Sequence, residues 1–159
     1  MESDEIVRRD LPNLQATADF ADTLAKALKG GEFLALAGDL GAGKTSFTRE
    51  LTRALGCSRL ANSPTFALFQ RYRGGALPVL HGDLYRLGSE AELEELGWEE
   101  MLDEYSDGLV VIEWAERFPR QLPPDRLHLS WILGVSEEER SVEMRAYGAK
   151  SAQLLAALR

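Results

Sequence analysis

The 159-residue sequence predicts an α/β fold in a single domain, with a central, mostly parallel (mixed) sheet flanked by helices. Three observations carry that expectation. Two short runs, "EFLALAG" and "GLVVIEW", have continuously apolar middles, as strands buried on both faces of a parallel sheet do. Segments of helical period stand before and after the first of them. The last third abandons strand–helix alternation for two successive strand-like runs, which makes the sheet mixed. The length suits one domain with a full core. Apolar residues at 45% and charged residues at 28% place the chain among ordinary globular proteins.

Taken in order, "LQATADFADTLAKALKGG" reads as a helix with Leu14, Ala18, Ala21, Leu24, Ala25 and Leu28 on one side, ended by Gly30 and Gly31. "EFLALAG" follows as a buried strand, then a glycine-rich loop and a helix from about Lys44 to Leu55. "FALFQRY" and "LPVLHGDLY", separated by "RGGA", read as two strands joined by a hairpin or a tight connection. Residues 89–105 read as helical with a break at Gly97. "GLVVIEW" is the second buried strand, ending on a carboxylate, and "QLPPDR" is a turn. "LHLSWIL" and "RSVEMRAY" are strands joined by "GVSEEER", and "SAQLLAALR" is a closing helix. No internal repeat or linker interrupts the chain.

Composition narrows the function. The formal charge of −8 lacks the basic footprint of a direct nucleic-acid binder, although the chain could act on nucleic acid through a partner. Cys57 is the single cysteine, and His81 and His128 lie far apart, which disfavours a disulfide framework or a cysteine- or histidine-rich metal site. "MESDEIVRRD" has no apolar h-region, and the apolar runs are too short to cross a bilayer. The expectation is a cytoplasmic enzyme or binding module without a membrane contact.

Residues Gly38 to Thr45, "GDLGAGKT", match G-x-x-x-x-G-K-[ST] in full, between a strand and a helix as a P-loop requires. Glycines let the backbone N–H groups of such a loop turn inward onto phosphate oxygens, and the helix that follows adds its positive end. Lys44 would reach the β- and γ-phosphates, and the Thr45 hydroxyl would ligate Mg2+. The motif makes the fold P-loop NTPase-like. No N/T-K-x-D string follows, which favours ATP over GTP.

A P-loop needs an acid on a neighbouring strand end, where ligands of open α/β sheets bind. Glu113 ends "LVVIE" and Asp83 ends "PVLHGD". A charge at the end of an apolar strand is expensive unless it is paired or metal-bound. Glu113 is assigned to the metal, and Asp83 to orienting or deprotonating the attacking water, with the reverse assignment left open. His81 shares a sheet face with Asp83 and either supports it or packs as a plain core residue. "NSPT", residues 62–65, carries Ser63 and Thr65, hydroxyls available for sensing a γ-phosphate. A strand-entry turn is the other reading of that segment.

"GDLGAGKTSFTRE", "SPTF", "HGDLYRL" and "VVIEWAER", in this order and spacing, resemble the TsaE (YjeE) family across nearly the whole chain. These are small bacterial ATPases needed for the threonylcarbamoyladenosine modification of tRNA. The resemblance implies that Asp39, Leu40, Gly41, Ala42, Gly43, Lys44, Thr45 and Ser46 bind the phosphates of ATP or ADP and the associated Mg2+. It also implies that Glu113 completes the metal site, that Asp83 serves hydrolysis, and that Thr65 belongs to a switch-like loop. Asn13 and Trp131 would approach the adenine. Departures from the family pattern are Ser46 where a threonine is usual, Ala115 where a proline is usual, and Gly82 where a bulkier residue is usual; none removes a reacting group.

The resemblance further implies two protein partners, TsaD and TsaB. That pair transfers the threonylcarbamoyl group to the adenosine next to the anticodon, and the small ATPase resets the pair between rounds. Contact with tRNA would then be indirect. Eight acids between Glu90 and Glu104, uninterrupted by Lys or Arg, form a face that repels tRNA and could dock on a basic protein surface, or be simply solvated. Arg71, Arg73, Arg86, Arg117 and Arg120 are unranked candidates for phosphate or partner contacts. Two other readings fit the same residues: a nucleotide-gated binding module with incidental hydrolysis, and a small-molecule kinase with Asp83 as base.

Overall fold

The computed structural model describes residues 5–39, 41–61 and 68–159. Its elements in chain order are β1 (Val7–Leu11), α1 (Leu14–Ala27), β2 (Glu32–Ala37), α2 (Lys44–Leu55), β3 (Phe69–Tyr72), β4 (Val79–Asp83), α3 (Glu90–Glu95), α4 (Trp98–Glu104), β5 (Leu109–Glu113), β6 (Arg126–Leu133), β7 (Arg140–Tyr147) and α5 (Ala149–Ala157). The strands form one sheet in the order β1-β7-β6-β2-β5-β4-β3. Parallel pairings join β6, β2, β5 and β4, while β3, β7 and β1 attach antiparallel to their neighbours. Five strands therefore run one way and two the other, the mixed, mostly parallel sheet that the sequence predicts.

The period of two explains why β2 and β5 are apolar throughout. On β2, Leu34 and Leu36 join Leu109 and Val111 of β5 on one face, packed under α1, α2 and α5 through Phe20, Leu24, Phe47, Leu51, Leu154 and Leu155. Phe33 and Ala35 join Val110 and Ile112 on the other face, under α3 and α4 through Leu93, Trp98 and Met101. Each central strand thus feeds two cores. The flanking strands β6 and β7 bury one face only. Leu127, Leu129, Val142 and Met144 point into the first core, while His128, Glu143 and Tyr147 stand on the opposite face, only half-buried.

Two details depart from the sequence reading. The buried stripe of α1 is Thr17, Phe20, Ala21 and Leu24, rotated from the expected one, and Leu14 is 57% exposed. The Phe20 ring decides the rotation by packing on Phe47 at a centroid distance of 5.6 Å. Strand β1 was not anticipated. Its Val7–Leu11 sequence "VRRDL" carries three charges, which an edge strand tolerates and which hide its alternation. The hairpin β3–β4 and the break at Gly97 between α3 and α4 stand as expected.

The chain leaves β2 between β5 on one side and β6 on the other. The strand order reverses there, so a crevice opens beyond the carboxyl ends of β2, β5 and β4. No helix among the described residues is long and apolar enough to cross a membrane.

Candidate functional site

The crevice is a cleft of about 170 Å³ lined by Leu14, Thr17, Gly41, Gly43, Lys44, Thr45, Ser46, Asp83, Glu113, Trp114, Trp131, Glu138 and Arg140. Its floor is the start of α2. Gly43 precedes that helix with φ +114°, and among the described residues no side chain caps the N-terminus. The first-turn N–H groups of a helix have no intrahelical partners and attract anions. Gly41 also has positive φ, +80°, and the Ala42 N–H donates to the Asp39 carbonyl at 3.0 Å, which tightens the turn. Leu40 lies outside the described residues, as do Ser63 and Thr65 of the expected switch-like segment.

Lys44 is 4% exposed, yet its ammonium is aimed at the cleft. Nζ donates to the Gly38 carbonyl at 2.5 Å and lies 4.0 Å from the centre of the Trp114 ring. Trp114 holds a left-handed backbone conformation, φ +60°, which is uncommon for a bulky residue and costs about 1–3 kcal/mol. That turn sets the indole over Lys44, and Ala115, fully buried, starts the short helical turn behind it.

Parallel pairing places Asp83 and Glu113 opposite each other at the ends of β4 and β5. Glu113 is 3% exposed. Its Oε2 accepts from His81 Nε2 at 2.7 Å, and its Oε1 lies 3.5 Å from the Thr45 hydroxyl, a long hydrogen bond. Asp83 is half-buried, and its Oδ1 accepts the Tyr85 N–H at 2.9 Å. Burial pushes the Asp83 carboxyl above its usual 3.8, the Tyr85 N–H opposes the shift, and the neighbouring Glu113 adds to it.

The sequence reading gave His81 the right sheet face. The bond it makes, however, is to Glu113 on the next strand, while Asp83 bonds the Tyr85 N–H. Gly82 has its own reason: a Cβ there would come 2.6 Å from the Phe69 ring and 2.9 Å from Ile112, so Phe69 fills the space a bulkier residue would take.

Asn13 caps α1, its side chain accepting the Ala16 N–H at 2.9 Å, and the cleft wall is formed by Leu14 and Thr17 just beyond it. Trp131 lines the cleft and packs on Phe47 at 4.7 Å, with its buried Nε1–H unpartnered among the described residues. Two contributors, Arg140 and Trp114, were not singled out from sequence. Arg140 donates to the Gly41 carbonyl at 3.3 Å and to the Glu137 and Glu139 carbonyls at 2.7 and 2.8 Å, bracing the glycine loop. Trp114 covers Lys44, and its position next to Glu113 was the available signal. Arg117 donates to the Tyr85 and Leu84 carbonyls, and Tyr85 packs on Trp114 at 4.9 Å, so the loop after Asp83 is tied to the turn after Glu113.

These features meet the comparison with known proteins. A model of the family described as "Threonylcarbamoyl adenosine biosynthesis protein TsaE" matches residues 11–142. The chain belongs to the TsaE family. Among curated relatives, the tRNA threonylcarbamoyladenosine biosynthesis protein TsaE of Bacillus subtilis is 41% identical over 138 residues, 86% of this chain and 83% of that protein. The protein of the same name from Synechocystis is 44% identical over 115 residues, 71% of this chain and 72% of the other. The one from Nostoc is 33% identical over 159 residues, covering 98% and 96%. A crystal structure of Bacillus subtilis YdiB superposes with a TM-score of 0.79 at 31% identity, over 99% of this chain and 95% of that one. The TsaE match begins at Leu11 and ends at Val142, so it spans every cleft residue named above.

Two of the basic candidates have local roles. Arg71 pairs with Glu104 at 3.5 Å on the surface, and Arg117 is engaged with the loop after Asp83. Four of the eight acids, Glu90, Glu92, Glu99 and Glu100, stand in the first turns of α3 and α4, where negative charge suits the helix dipole.

Proposed function

We propose that this TsaE-family chain is a Mg2+-dependent ATPase of tRNA threonylcarbamoyladenosine biosynthesis, acting in the cytoplasm on a TsaD–TsaB transferase pair to permit repeated turnover. The observation that carries the reading is the convergence of an uncapped helix N-terminus, Lys44, Thr45 and two strand-end carboxylates in one cleft. The names of the relatives supply the tRNA pathway.

The donor set fits a nucleotide with a divalent cation. Lys44 is a buried ammonium resting on a carbonyl and an indole, which offer it partial charges only. Phosphate oxygens would give it full ones. The N–H groups at the start of α2 would hold the same oxygens. Thr45 and Glu113 would hold Mg2+, which when bound would neutralise charge developing on the phosphates. Asp83 would accept the proton of the attacking water; its raised pKa brings it nearer the operating pH, where a general base works best. Trp131 and Thr17 would bound the base and sugar side of the cleft.

Steady-state ATP hydrolysis by the chain, alone and with the TsaD–TsaB pair, tests the reading. Slow turnover that rises sharply with the pair, and vanishes in Lys44→Ala, is the expected result. A rate indifferent to the pair would sink the partner-stimulated mechanism.

A further inference from the structure

We infer that His81 is a positioning residue for Glu113, fixing the carboxylate that sets the site's affinity for the divalent cation bound with the nucleotide. The inference rests on the reading of Glu113 as the metal-side carboxylate.

The argument starts from what Glu113 touches. Its carboxylate is almost wholly removed from water, and among the described residues two side chains reach it. Thr45 does so at 3.5 Å, the limit of a hydrogen bond, and His81 at 2.7 Å, the short distance of a charge-assisted one. An ionised carboxylate has no proton to give, so His81 Nε2 is the donor. His81 therefore fixes Oε2 and leaves Oε1 turned toward the Thr45 hydroxyl at the start of α2.

The second strand of the argument is what His81 does otherwise. It is fully buried on β4, and its Nδ1 has no partner among the described residues. Packing alone does not call for an imidazole there, because an apolar residue would fill the place without stranding a buried polar atom. Among the described residues, the polar contact of the ring is Glu113. The sheet register explains the reach. Asp83 sits opposite Glu113 and His81 opposite Val111, so His81 meets Glu113 diagonally, from one step deeper in the core. A donor placed behind a metal ligand fixes its orientation, and losing such a partner typically costs about 10–100-fold in metal affinity.

The experiment titrates ADP calorimetrically, first in EDTA and then across a Mg2+ series, on the full chain and on His81→Gln, His81→Asn and Glu113→Gln. Glutamine carries an amide N–H near the position of Nε2, and asparagine stops short of Glu113. The expected result is metal-free ADP affinity within about two-fold of the parent in both His81 variants, with the Mg2+ midpoint near parental in His81→Gln and raised about ten-fold in His81→Asn. Equal Mg2+ midpoints in both His81 variants and the parent, while Glu113→Gln shifts it, would overturn the positioning role alone. An unshifted midpoint in Glu113→Gln would overturn the metal reading and this inference with it. Equal loss of metal-free ADP binding in both His81 variants would make His81 a packing residue and also overturn the inference.

Discussion

Replacing Gly43 with alanine tests the glycine loop where its geometry is most constrained. The backbone there has φ +114°, and an added Cβ would sit 3.3 Å from Trp131 Cδ1, 3.6 Å from Nε1 and 3.8 Å from Arg140 Cγ. Holding a non-glycine residue in such a conformation costs about 1–3 kcal/mol before any steric contact is counted. Trp131 is itself pinned by Phe47 and buried, so it yields little and the contact adds to the strain. Gly41→Ala is the internal control. Its φ is also positive, +80°, but none of the described residues lies within 4 Å of the added carbon, so it reports backbone strain alone, about 1–2 kcal/mol. Urea unfolding of the two variants should therefore rank parent, Gly41→Ala, Gly43→Ala in falling stability. Calorimetric titration with ADP should show Gly43→Ala weakened at least about ten-fold, since relieving about 1.4 kcal/mol of strain by rotating the loop forfeits its aim. A Gly43→Ala protein as stable as Gly41→Ala, binding ADP within two-fold of the parent, would refute the reasoning.

The remaining predictions concern the acid, the brace and the two cores. Asp83→Asn should lower the hydrolysis rate by about 10²–10⁴-fold while leaving ADP binding in place. Because the folded-state pKa of Asp83 is raised, the native protein holds that proton more tightly than the unfolded chain. Stability should therefore fall as pH rises from 3.8 through the raised value, and Asp83→Asn, measured by urea unfolding at neutral pH, should remove that loss. Arg140→Ala should weaken ADP binding several-fold with little change in melting temperature, since it removes the brace on the Gly41 carbonyl from a partly exposed position. His128 has its pKa lowered from 6.5 to about 4 by burial first and by Arg126 and Arg145 second. The unfolded chain thus binds the extra proton in that window, stability should decline as pH drops from 6.5 toward 4, and His128→Gln should flatten the decline in urea titrations at stepped pH. Trp98→Ala should cost about 3–5 kcal/mol in the same assay, because the indole is buried between Phe33 and Phe69 and donates to the Gln121 carbonyl.

What was legible in the sequence is what local chemistry dictates. The apolar runs of β2 and β5 name themselves because burial on both faces leaves no polar alternation. The Lys44–Leu55 helix was read to the residue, since a glycine stands at each end. The tight loop before α2 was readable because its positive-φ positions, Gly38, Gly41 and Gly43, demand glycine at fixed steps. Three things were not legible, and each depends on neighbours distant in the chain. The rotation of α1 follows the contact of Phe20 with Phe47 on α2. Strand β1 exists because β7 offers an edge for it. The partner of His81 follows from the register of β4 against β5, which strand parity does not supply: parity names the face, and only the neighbouring strand names the residue on it.

The energetics of Glu113 show why this register matters. Burying an ionised carboxylate costs several kcal/mol unless its oxygens are satisfied, and the end of an apolar strand supplies nothing for it by itself. Valine or isoleucine at that position would extend the Leu109–Ile112 run and stabilise the sheet more cheaply. The fold instead commits His81, whose own Nδ1 has no partner among the described residues, and the Thr45 hydroxyl to the same carboxylate. Lys44, equally buried, rests on a carbonyl and an aromatic face with no carboxylate within ion-pairing distance among the described residues. A sequence selected for stability alone would pair the two opposite charges directly. Keeping Lys44 and Glu113 apart, each held by weaker partners on its own side of the cleft, leaves room between them for a ligand that brings negative charge to the lysine and positive charge to the glutamate. A nucleotide phosphate carrying a divalent cation has that charge pattern.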